Sequence, residues 1–388
     1  MKNTSKRTAN PIYIIIAAVG INLVGGAIYC WSIIGKELII NLGWTNTEAN
    51  LPYTVSIAMI SIFMLIGGRL RDTLGPRIGA LIGGTIAGFG LFISSFFTSP
   101  LAMTVTYGLI AGGGFGLAGS STTVTAIKWF PDERKGIVSG ICLSGIALAA
   151  VYISPIVQAL IEYTGVYKTF QYMGAGTFVI IVLFALLLKD PPEAAPEPGV
   201  IEGVWKDIFK KANFYKLWLT YLLGASVGLI IIGNIAVIAV RQAAWQDGFL
   251  LVILVAVFNA CGRLLSGLTL DKIGTKNTFR IVLLIQAANM ALFYMYNSVV
   301  PLAAGTAVAG LCYGGVVSSI PAATAGEFGT KNLGLNYGLV ATAYGCAGVL
   351  GPIMAGMIVD ITGSYHYVYI VCVVLLIVST VIISTLKK

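Results

Sequence analysis

An arginine stands in the middle of one of the most apolar stretches of the chain. Arg263 lies 14 residues into an apolar run that begins at Phe249, and Asp271 follows it by eight positions. At 1.5 Å per residue, the arginine is about 12 Å inside the end of a helix, near the middle of a hydrocarbon layer about 30 Å thick. Arginine keeps its proton in proteins, and a charge at that depth costs several kcal/mol. The position predicts a functional residue. The alternative is an arginine that reaches the membrane surface or pairs with a carboxylate of another helix.

The chemistry that suits Arg263 is the binding of a carboxylate. A planar guanidinium takes a carboxylate through two parallel hydrogen bonds, and surroundings that exclude water strengthen the pair. Asn259 lies one helical turn before Arg263 on the same face. No other predicted span places an Asp or Glu at mid-depth, and one fixed charge suits one carboxylate. We therefore predict a site for a small carboxylate.

The remaining reactive residues indicate no other chemistry. The single histidine, His366, falls in an external loop, and the six cysteines lie in apolar runs without metal-ligand spacing. The sequence shows neither a catalytic cluster of His, Asp, Glu or Cys nor a phosphate-binding loop. We predict neither an enzyme nor a nucleotide-driven pump, and neither a metal nor a cofactor.

The composition shows which elements must position Arg263. Of 388 residues, 57% are hydrophobic and only 10% are charged. Apolar runs of about eighteen residues or more span a bilayer as helices, and this chain has many of them. We predict an all-α membrane protein with twelve spans, at residues 11–35, 47–68, 78–97, 101–127, 136–162, 168–189, 213–240, 248–270, 275–296, 299–325, 334–361 and 367–386.

The net charge of +9 reflects lysines and arginines distributed by membrane topology and does not indicate a nucleic-acid partner. With the N-terminus in the cytoplasm, twenty of the 24 lysines and arginines fall on the cytoplasmic side. Only Lys36, Lys168 and Arg241 fall outside, and Arg263 lies between. Cytoplasmic loops carry such an excess of positive charge. We predict a monomer in the lipid bilayer of a bacterial or archaeal inner membrane, with both termini cytoplasmic.

Two short motifs recur at nearly the same offset, which is the mark of an internal duplication. The segment from Glu162 to Tyr167 returns after 198 positions. The proline-rich stretch 190–199 divides the chain, so we predict six-helix bundles at 1–189 and 213–388, joined by a linker at 190–212 with an amphipathic helix. The other motif returns after 199 positions, where Gly68, Asp72, Gly75 and Arg77 match Gly267, Asp271, Gly274 and Lys276.

The duplicated loop motif, Gly-x-x-x-Asp-x-x-Gly-x-Arg/Lys, resembles the loop signature of the major facilitator superfamily. Three further features are similar to the branch that contains bacterial oxalate/formate antiporters and monocarboxylate transporters. They are Lys128-Trp-Phe-Pro-Asp-x-Arg134, Tyr29-Cys-Trp31, and Arg263 ahead of the second loop. The resemblance implies the major facilitator fold, two parallel six-helix repeats with the substrate site between them near the membrane midplane. It also implies that the motif's glycines allow close packing while its aspartate and basic residue bridge helix ends.

The resemblance points to further residues around the site. In many transporters of this class the first, fourth, seventh and tenth helices line the cavity, which makes Tyr29, Tyr313 and Ser120 candidates. A phenol can donate to a carboxylate while its ring excludes water. The equal alternative is that each tyrosine hydroxyl is bonded within the packed helices and does not contact substrate. A serine commonly bonds back to its own helix instead. From depth alone, the candidates for an apolar wall around a short alkyl group are Leu143, Tyr344 and Cys346.

Departures from the branch narrow the expected substrate. Its oxalate transporters have a second cation in the eleventh span, but residues 334–360 contain no lysine or arginine, and the matching position falls near Val340. Its eukaryotic monocarboxylate transporters carry an aspartate at the position of Asn259 and a lysine near Tyr29, so neutral groups replace their proton partners here. We expect a proton-coupled symporter of a small monocarboxylate such as lactate, pyruvate or formate, working by alternating access. An oxalate/formate-type antiporter is the alternative.

Overall fold

The computed structural model of the protein describes residues 10–192, 205–245 and 248–386. In those ranges ten helices are long and apolar enough to cross a membrane. Two of them, Lys135–Ala185 and Phe249–Phe293, contain a glycine with non-helical backbone angles, so each forms two spans. The twelve predicted spans are confirmed as α1 Pro11–Leu42, α2 Asn46–Leu74, α3 Pro76–Ser94, α4 Pro100–Ile127, α5 135–164, α6 166–185, α7 Ala212–Ala243, α8 249–273, α9 275–293, α10 Val299–Phe328, α11 Leu333–Thr362 and α12 His366–Ser384.

Glycines with positive φ make three of the tight turns between spans. Gly75 (φ 87°), Gly165 (φ 79°) and Gly274 (φ 79°) join α2 to α3, α5 to α6 and α8 to α9. Residues with a Cβ atom rarely adopt these angles, so the turns require glycine. Gly75 and Gly274 are equivalent positions of the repeated loop motif, and their ψ angles of 162° and 168° also agree. The duplication of the loop motif therefore extends to the backbone geometry of its turn.

The first helix is longer than the sequence predicted. The expected end at residue 35 took Lys36 and Glu37 as external, whereas the helix continues to Leu42. Gly43 ends it with a left-handed φ of 67° and donates its N–H to the Ile39 carbonyl oxygen, a common helix C-terminus. The charged pair is therefore part of the last turns of α1.

Two helices of the first half are irregular. α1 contains a 3-10 segment at Gly26–Cys30, and α4 contains a π segment at Thr104–Ala111 and a break at Thr122, where ψ is −84°. A buried amide lies at this break. Asn22 Nδ2 donates to the Cys142 carbonyl oxygen at 2.8 Å, and Thr122 Oγ1 donates to Asn22 Oδ1 at 3.0 Å. Asn22 thus connects α1, α4 and α5.

Helices α1–α6 form one bundle and α7–α12 form the other, and the bundles meet along two seams, α5 against α8 and α2 against α11. Both seams pass through pairs of glycines. A Cβ atom on Gly267 would lie 2.4 Å from the Gly136 carbonyl oxygen, and one on Gly68 would lie 2.1 Å from that of Gly334. Neither place has space for a side chain, so the two bundles touch there through their backbones, as small residues allow in membrane helices.

The connection between the bundles is described only in part. Residues 193–204 lie outside the described ranges, and the linker boundaries at 190 and 212 stay a prediction. The described part of the amphipathic segment is a 3-10 helix, Trp205–Lys210, of six residues. In it Ile208 is buried and Lys210 is exposed. Phe209, between them, is 41% exposed, and the segment is shorter and more tightly wound than an interfacial α-helix.

The variant Gly262→Ala should destabilise the second bundle. A Cβ atom at this position of α8 would lie 1.9 Å from the Leu311 carbonyl oxygen of α10, and backbone yields less easily than a side chain. Overpacking costs about 1–3 kcal/mol, so we expect the thermal unfolding midpoint of the purified protein to fall by about 2–6 °C. In the matched variant Gly356→Ala the new Cβ atom meets nothing within 4 Å. Equal midpoints for the two variants would contradict the packing.

Candidate functional site

Arg263 is buried where the two bundles meet. The residue is 2% exposed, and its Nε donates to Asn259 Oδ1 at 3.0 Å, one turn earlier in α8. Its Nη1 donates to the Leu143 carbonyl oxygen of α5 at 2.6 Å. These bonds use two of the five N–H donors of an arginine, and the second bond joins α8 to the other bundle. Among the described residues, no carboxylate forms an ion pair with Arg263.

A cavity of about 120 Å³ lies beside Arg263. Helices α1, α2, α4, α5 and α6 line it from the first bundle, and α7, α8, α10 and α11 line it from the second. Sites for drug-sized ligands have volumes of roughly 300–1,000 Å³, so this cavity suits a much smaller molecule. Its place between the bundles is the one that the sequence predicted for the site.

The second bundle contributes the one charged residue of the cavity lining, among the described residues, and most of its aromatic side chains. Besides Arg263, the lining residues of this polar wall include Tyr221, Tyr337 and Tyr344. The hydroxyls of Tyr344 and Tyr313 share a hydrogen bond of 3.0 Å, and the rings of Tyr344 and Tyr221 stack with 5.9 Å between their centres. A guanidinium with phenol hydroxyls on the same wall provides the kind of donors that a carboxylate takes.

The first bundle gives the cavity an apolar wall. Asn22 is the one amide that the described residues of this bundle contribute to the lining, and both ends of its side chain are bonded, to Cys142 and Thr122. The cavity thus offers hydrogen-bond donors on one side and hydrocarbon on the other. The large apolar side chains that the described residues of this wall contribute are Ile21, Ile28, Ile57, Ile60, Met64, Phe115, Leu143, Ile146 and Ile181.

The structure brings five of the predicted site residues together. Leu143 and Tyr344 line the cavity with Arg263. Asn259 and Tyr313 join them through their hydrogen bonds to Arg263 and to Tyr344. Leu143 contributes its backbone carbonyl as well as its side chain, which the sequence did not predict.

The other predicted residues lie elsewhere. Ser120 Oγ donates to the Leu117 carbonyl oxygen of its own helix at 2.7 Å. The serine therefore bonds back to its own helix, which was the alternative to contact with substrate. Cys346 is exposed, because a residue two positions after Tyr344 points about 200° away around the helix. Its expected place in the cavity wall was wrong. The side chain of Tyr29 lies outside the described residues.

Sequence reasoning missed three polar residues of the cavity, Asn22, Tyr221 and Tyr337. Asn22 could have been found by the argument that found Arg263, because it is a lone amide in an apolar span. Nothing singles out the two tyrosines among the 18 in the chain. Val340, the position expected to match a second cation, is fully buried and does not line the cavity, whereas Tyr344, one turn further along α11, does.

The repeated loop motifs join the two bundles at the membrane face where α1 begins and α12 ends, which we call the terminal face. Asp271, near the end of α8, accepts the N–H groups of Gly136 and Ile137 at 2.6 and 2.8 Å, at the start of α5. Asp72, near the end of α2, accepts the N–H groups of Gly334 and Leu335 at 3.2 and 2.8 Å, at the start of α11. Each carboxylate therefore caps a helix N-terminus of the other bundle, where negative charge is favoured.

Basic residues surround the Asp72 end of this arrangement. Arg71 is fully buried, donates to Asp72 at 2.7 Å and forms an ion pair with Asp190. Lys128, from the loop after α4, places Nζ 3.8 Å from Asp72 Oδ1. Burial, together with the Arg71 guanidinium, lowers the pKa of Lys128 from 10.5 to about 8. The motif's own basic residue, Arg77, instead donates to the Leu186 carbonyl oxygen at the end of α6, at 2.5 Å.

Comparison with known proteins agrees with this architecture. A sequence model of the Major Facilitator Superfamily matches residues 12–297 and 246–387. Among solved structures, the human organic anion transporter MFSD10 is similar with a TM-score of 0.75 over 96% of this chain and 99% of that one, at 13% identity. At that identity the similarity concerns the fold, and it confirms the predicted fold of two six-helix bundles.

Three relatives confirm the branch that the sequence motifs indicated. The uncharacterized MFS-type transporter YhjX of Escherichia coli (strain K12) is 27% identical, over 84% of this chain and 82% of its own length. The oxalate:formate antiporter of Oxalobacter formigenes is 26% identical, over 87% and 82%. Monocarboxylate transporter 12 of Rattus norvegicus is 26% identical, over 92% and 81%.

The variant Lys128→Met should change how stability depends on pH. Folding lowers the pKa of Lys128 from 10.5 to about 8, so the unfolded chain binds more protons between these values. The contribution of this lysine to the free energy of unfolding therefore rises with pH through that window and is at its lowest below pH 8. We expect the unfolding midpoint of the variant, relative to wild type, to fall as the pH rises from 8 to 10.5. The exposed Lys272→Met is the control, and identical pH profiles for both variants would contradict the burial of the charge.

Proposed function

Because the chain belongs to the Major Facilitator Superfamily, we propose that it is a secondary transporter that moves a small monocarboxylate across the membrane by alternating access. The observation that carries the proposal is Arg263, a buried charge in a cavity between the bundles that no carboxylate of the described residues neutralises. Sites of secondary transporters lie near the midplane, between the repeats that move.

The guanidinium is positioned to receive a carboxylate. Asn259 and the Leu143 carbonyl oxygen engage Nε and Nη1 and so fix the plane of the group. Its further N–H groups can then bind both oxygens of a carboxylate without reorganisation, which favours binding in a site of low polarity. The phenols of Tyr337 and Tyr344, on the same wall, can complete the shell around the anion.

The aspartate clamps define the motion that transport requires. In this structure Asp72 and Asp271 hold the bundles together at the terminal face. Release of substrate toward that face requires α5 and α11 to leave these carboxylates, which breaks four charge-assisted hydrogen bonds. The bond from Arg263 to Leu143 crosses the same α5–α8 seam. One hydrogen bond therefore belongs both to the binding site and to the seam. Rocking of the bundles therefore alters the site as it opens the face.

One cation favours a substrate with one carboxylate. Two relatives are named for carboxylates, one as an oxalate:formate antiporter and one as a monocarboxylate transporter. In this chain α11 contains no lysine or arginine, and Tyr344 lies on the cavity instead. We therefore propose lactate, pyruvate or formate rather than oxalate, carried as the anion in symport with a proton. The transporter would act as a monomer in a bacterial or archaeal cell membrane, with cytoplasmic termini.

Uptake by proteoliposomes tests this substrate choice against the alternative of oxalate/formate exchange. We expect labelled lactate to accumulate in vesicles with an imposed inward proton gradient, and labelled oxalate not to accumulate. Uptake of oxalate that requires formate inside the vesicles would favour the exchanger. Lactate uptake that does not respond to the gradient would contradict symport while leaving monocarboxylate transport intact.

The variant Arg263→Lys should lose most transport although it keeps the charge. An ammonium cannot form the planar pair of bonds to a carboxylate, nor can it bond Asn259 and Leu143 from the same positions. We expect the uptake rate in proteoliposomes to fall at least about tenfold, which corresponds to about 1.4 kcal/mol. The matched control is Arg280→Lys on the exposed surface of α9. Near-normal uptake by Arg263→Lys would refute the carboxylate clamp.

A further inference from the structure

The two walls of the cavity differ in a way that bears on which monocarboxylate fits. We propose that the site selects its substrate by the end remote from the carboxylate, taking acids that end in an unsubstituted alkyl group, such as propanoate and butanoate. It excludes acids of the same size that end in a hydroxyl or a second carboxylate. The inference rests on the proposed transport of a monocarboxylate and narrows it.

The orientation of the substrate follows from the polar wall. Arg263, Tyr221, Tyr337 and Tyr344 all come from the second bundle. A carboxylate bound there must direct the rest of the molecule across the cavity, toward the first bundle. A hydroxyl on the carbon next to the carboxylate, as in lactate, lies close to the tyrosines of the polar wall. A hydroxyl at the far end of the substrate lies against the apolar wall instead.

The far end of the substrate meets hydrocarbon. Ile57, Ile60 and Met64 of α2 face the cavity, together with Phe115 of α4. Among the described residues of this wall, the polar exception is Asn22, 2% exposed, whose Nδ2 donates to the Cys142 carbonyl oxygen and whose Oδ1 accepts from Thr122. A terminal hydroxyl would thus lose its water without meeting an unoccupied side-chain donor in the described part of the wall, which is unfavourable. A terminal methyl group would gain contact with apolar side chains instead.

The volume sets the length. An apolar cavity of about 150 Å³ admits benzene, a molecule of six carbon atoms. By the same scale a cavity of about 120 Å³ holds about five non-hydrogen atoms. Propanoate has that size, and butanoate is one atom larger. Formate leaves the apolar wall without contact, and an alkyl acid of six or more carbons does not fit.

A pair of acids with equal numbers of non-hydrogen atoms tests the selection. Butanoate ends in a methyl group, and 3-hydroxypropanoate has a hydroxyl at the same position. We expect isothermal titration of the full-length protein in nanodiscs to give butanoate a dissociation constant at least about tenfold lower. Equal constants would overturn the inference but leave monocarboxylate binding intact. Failure to bind any of formate, lactate, butanoate and oxalate would overturn the proposed function, and the inference with it.

Two variants of one position assign the selection to the apolar wall. Ile60→Thr and Ile60→Val both shorten the side chain, but only the threonine adds a hydroxyl that a polar substrate end can bond. We expect Ile60→Thr to reduce the preference for butanoate over 3-hydroxypropanoate at least about threefold relative to Ile60→Val. Binding of propanoate by both variants shows that they are folded. A third variant, Ile62→Thr, alters the exposed side of α2, where Ile62 is 46% exposed, and should leave the preference unchanged. The same preference in Ile60→Thr and Ile60→Val would overturn the assignment.

Discussion

The buried guanidinium of Arg263 constrains the structure around it. A charge that cannot be neutralised needs dipoles at close range, so Asn259 must stand one turn earlier and a carbonyl oxygen of α5 must come within 2.6 Å. α5 can approach α8 this closely because Gly140 faces the Arg263 carbonyl oxygen, at 2.4 Å from the place of a Cβ atom. The charge, the amide and the glycine therefore depend on one another, and together they define where the seam and the cavity lie.

The rest of the cavity is organised by a difference between the bundles. The second bundle contributes the charge and a group of tyrosines that bond and stack on one another. The first contributes hydrocarbon, and its one lining amide, among the described residues, is occupied in holding α1, α4 and α5 together. Binding of an amphiphilic substrate thus brings both bundles into contact with one molecule. The clamps at the terminal face act on the same two seams, so substrate contact and closure involve the same pairs of helices.

Much of the fold could be predicted from the sequence because its signals are local. Twelve apolar runs, the distribution of lysines and arginines, and two motifs repeated at offsets of 198 and 199 positions can all be seen in the sequence itself. Arg263 was predictable for the same reason, since its cost arises from depth in the membrane. The direction in which a side chain points was not. Cys346 and Tyr344 differ by two positions and face opposite ways, and the end of α1 depends on Gly43 and not on the charged pair before it. Such details follow from how each helix is rotated against its neighbours.

The offset of 199 positions that relates the two loop motifs has a consequence inside the cavity. Counted back by that offset, Arg263 corresponds to Met64 and Asn259 corresponds to Ile60, and both of these residues line the apolar wall. The two halves therefore still match at the loops where they clamp each other, at Asp72 and Asp271, but have diverged at the equivalent positions that face the substrate. Two identical halves would present the same residues to both ends of a substrate. Divergence at these two positions, one turn apart, gives the cavity a direction and lets it distinguish the head of a molecule from its tail.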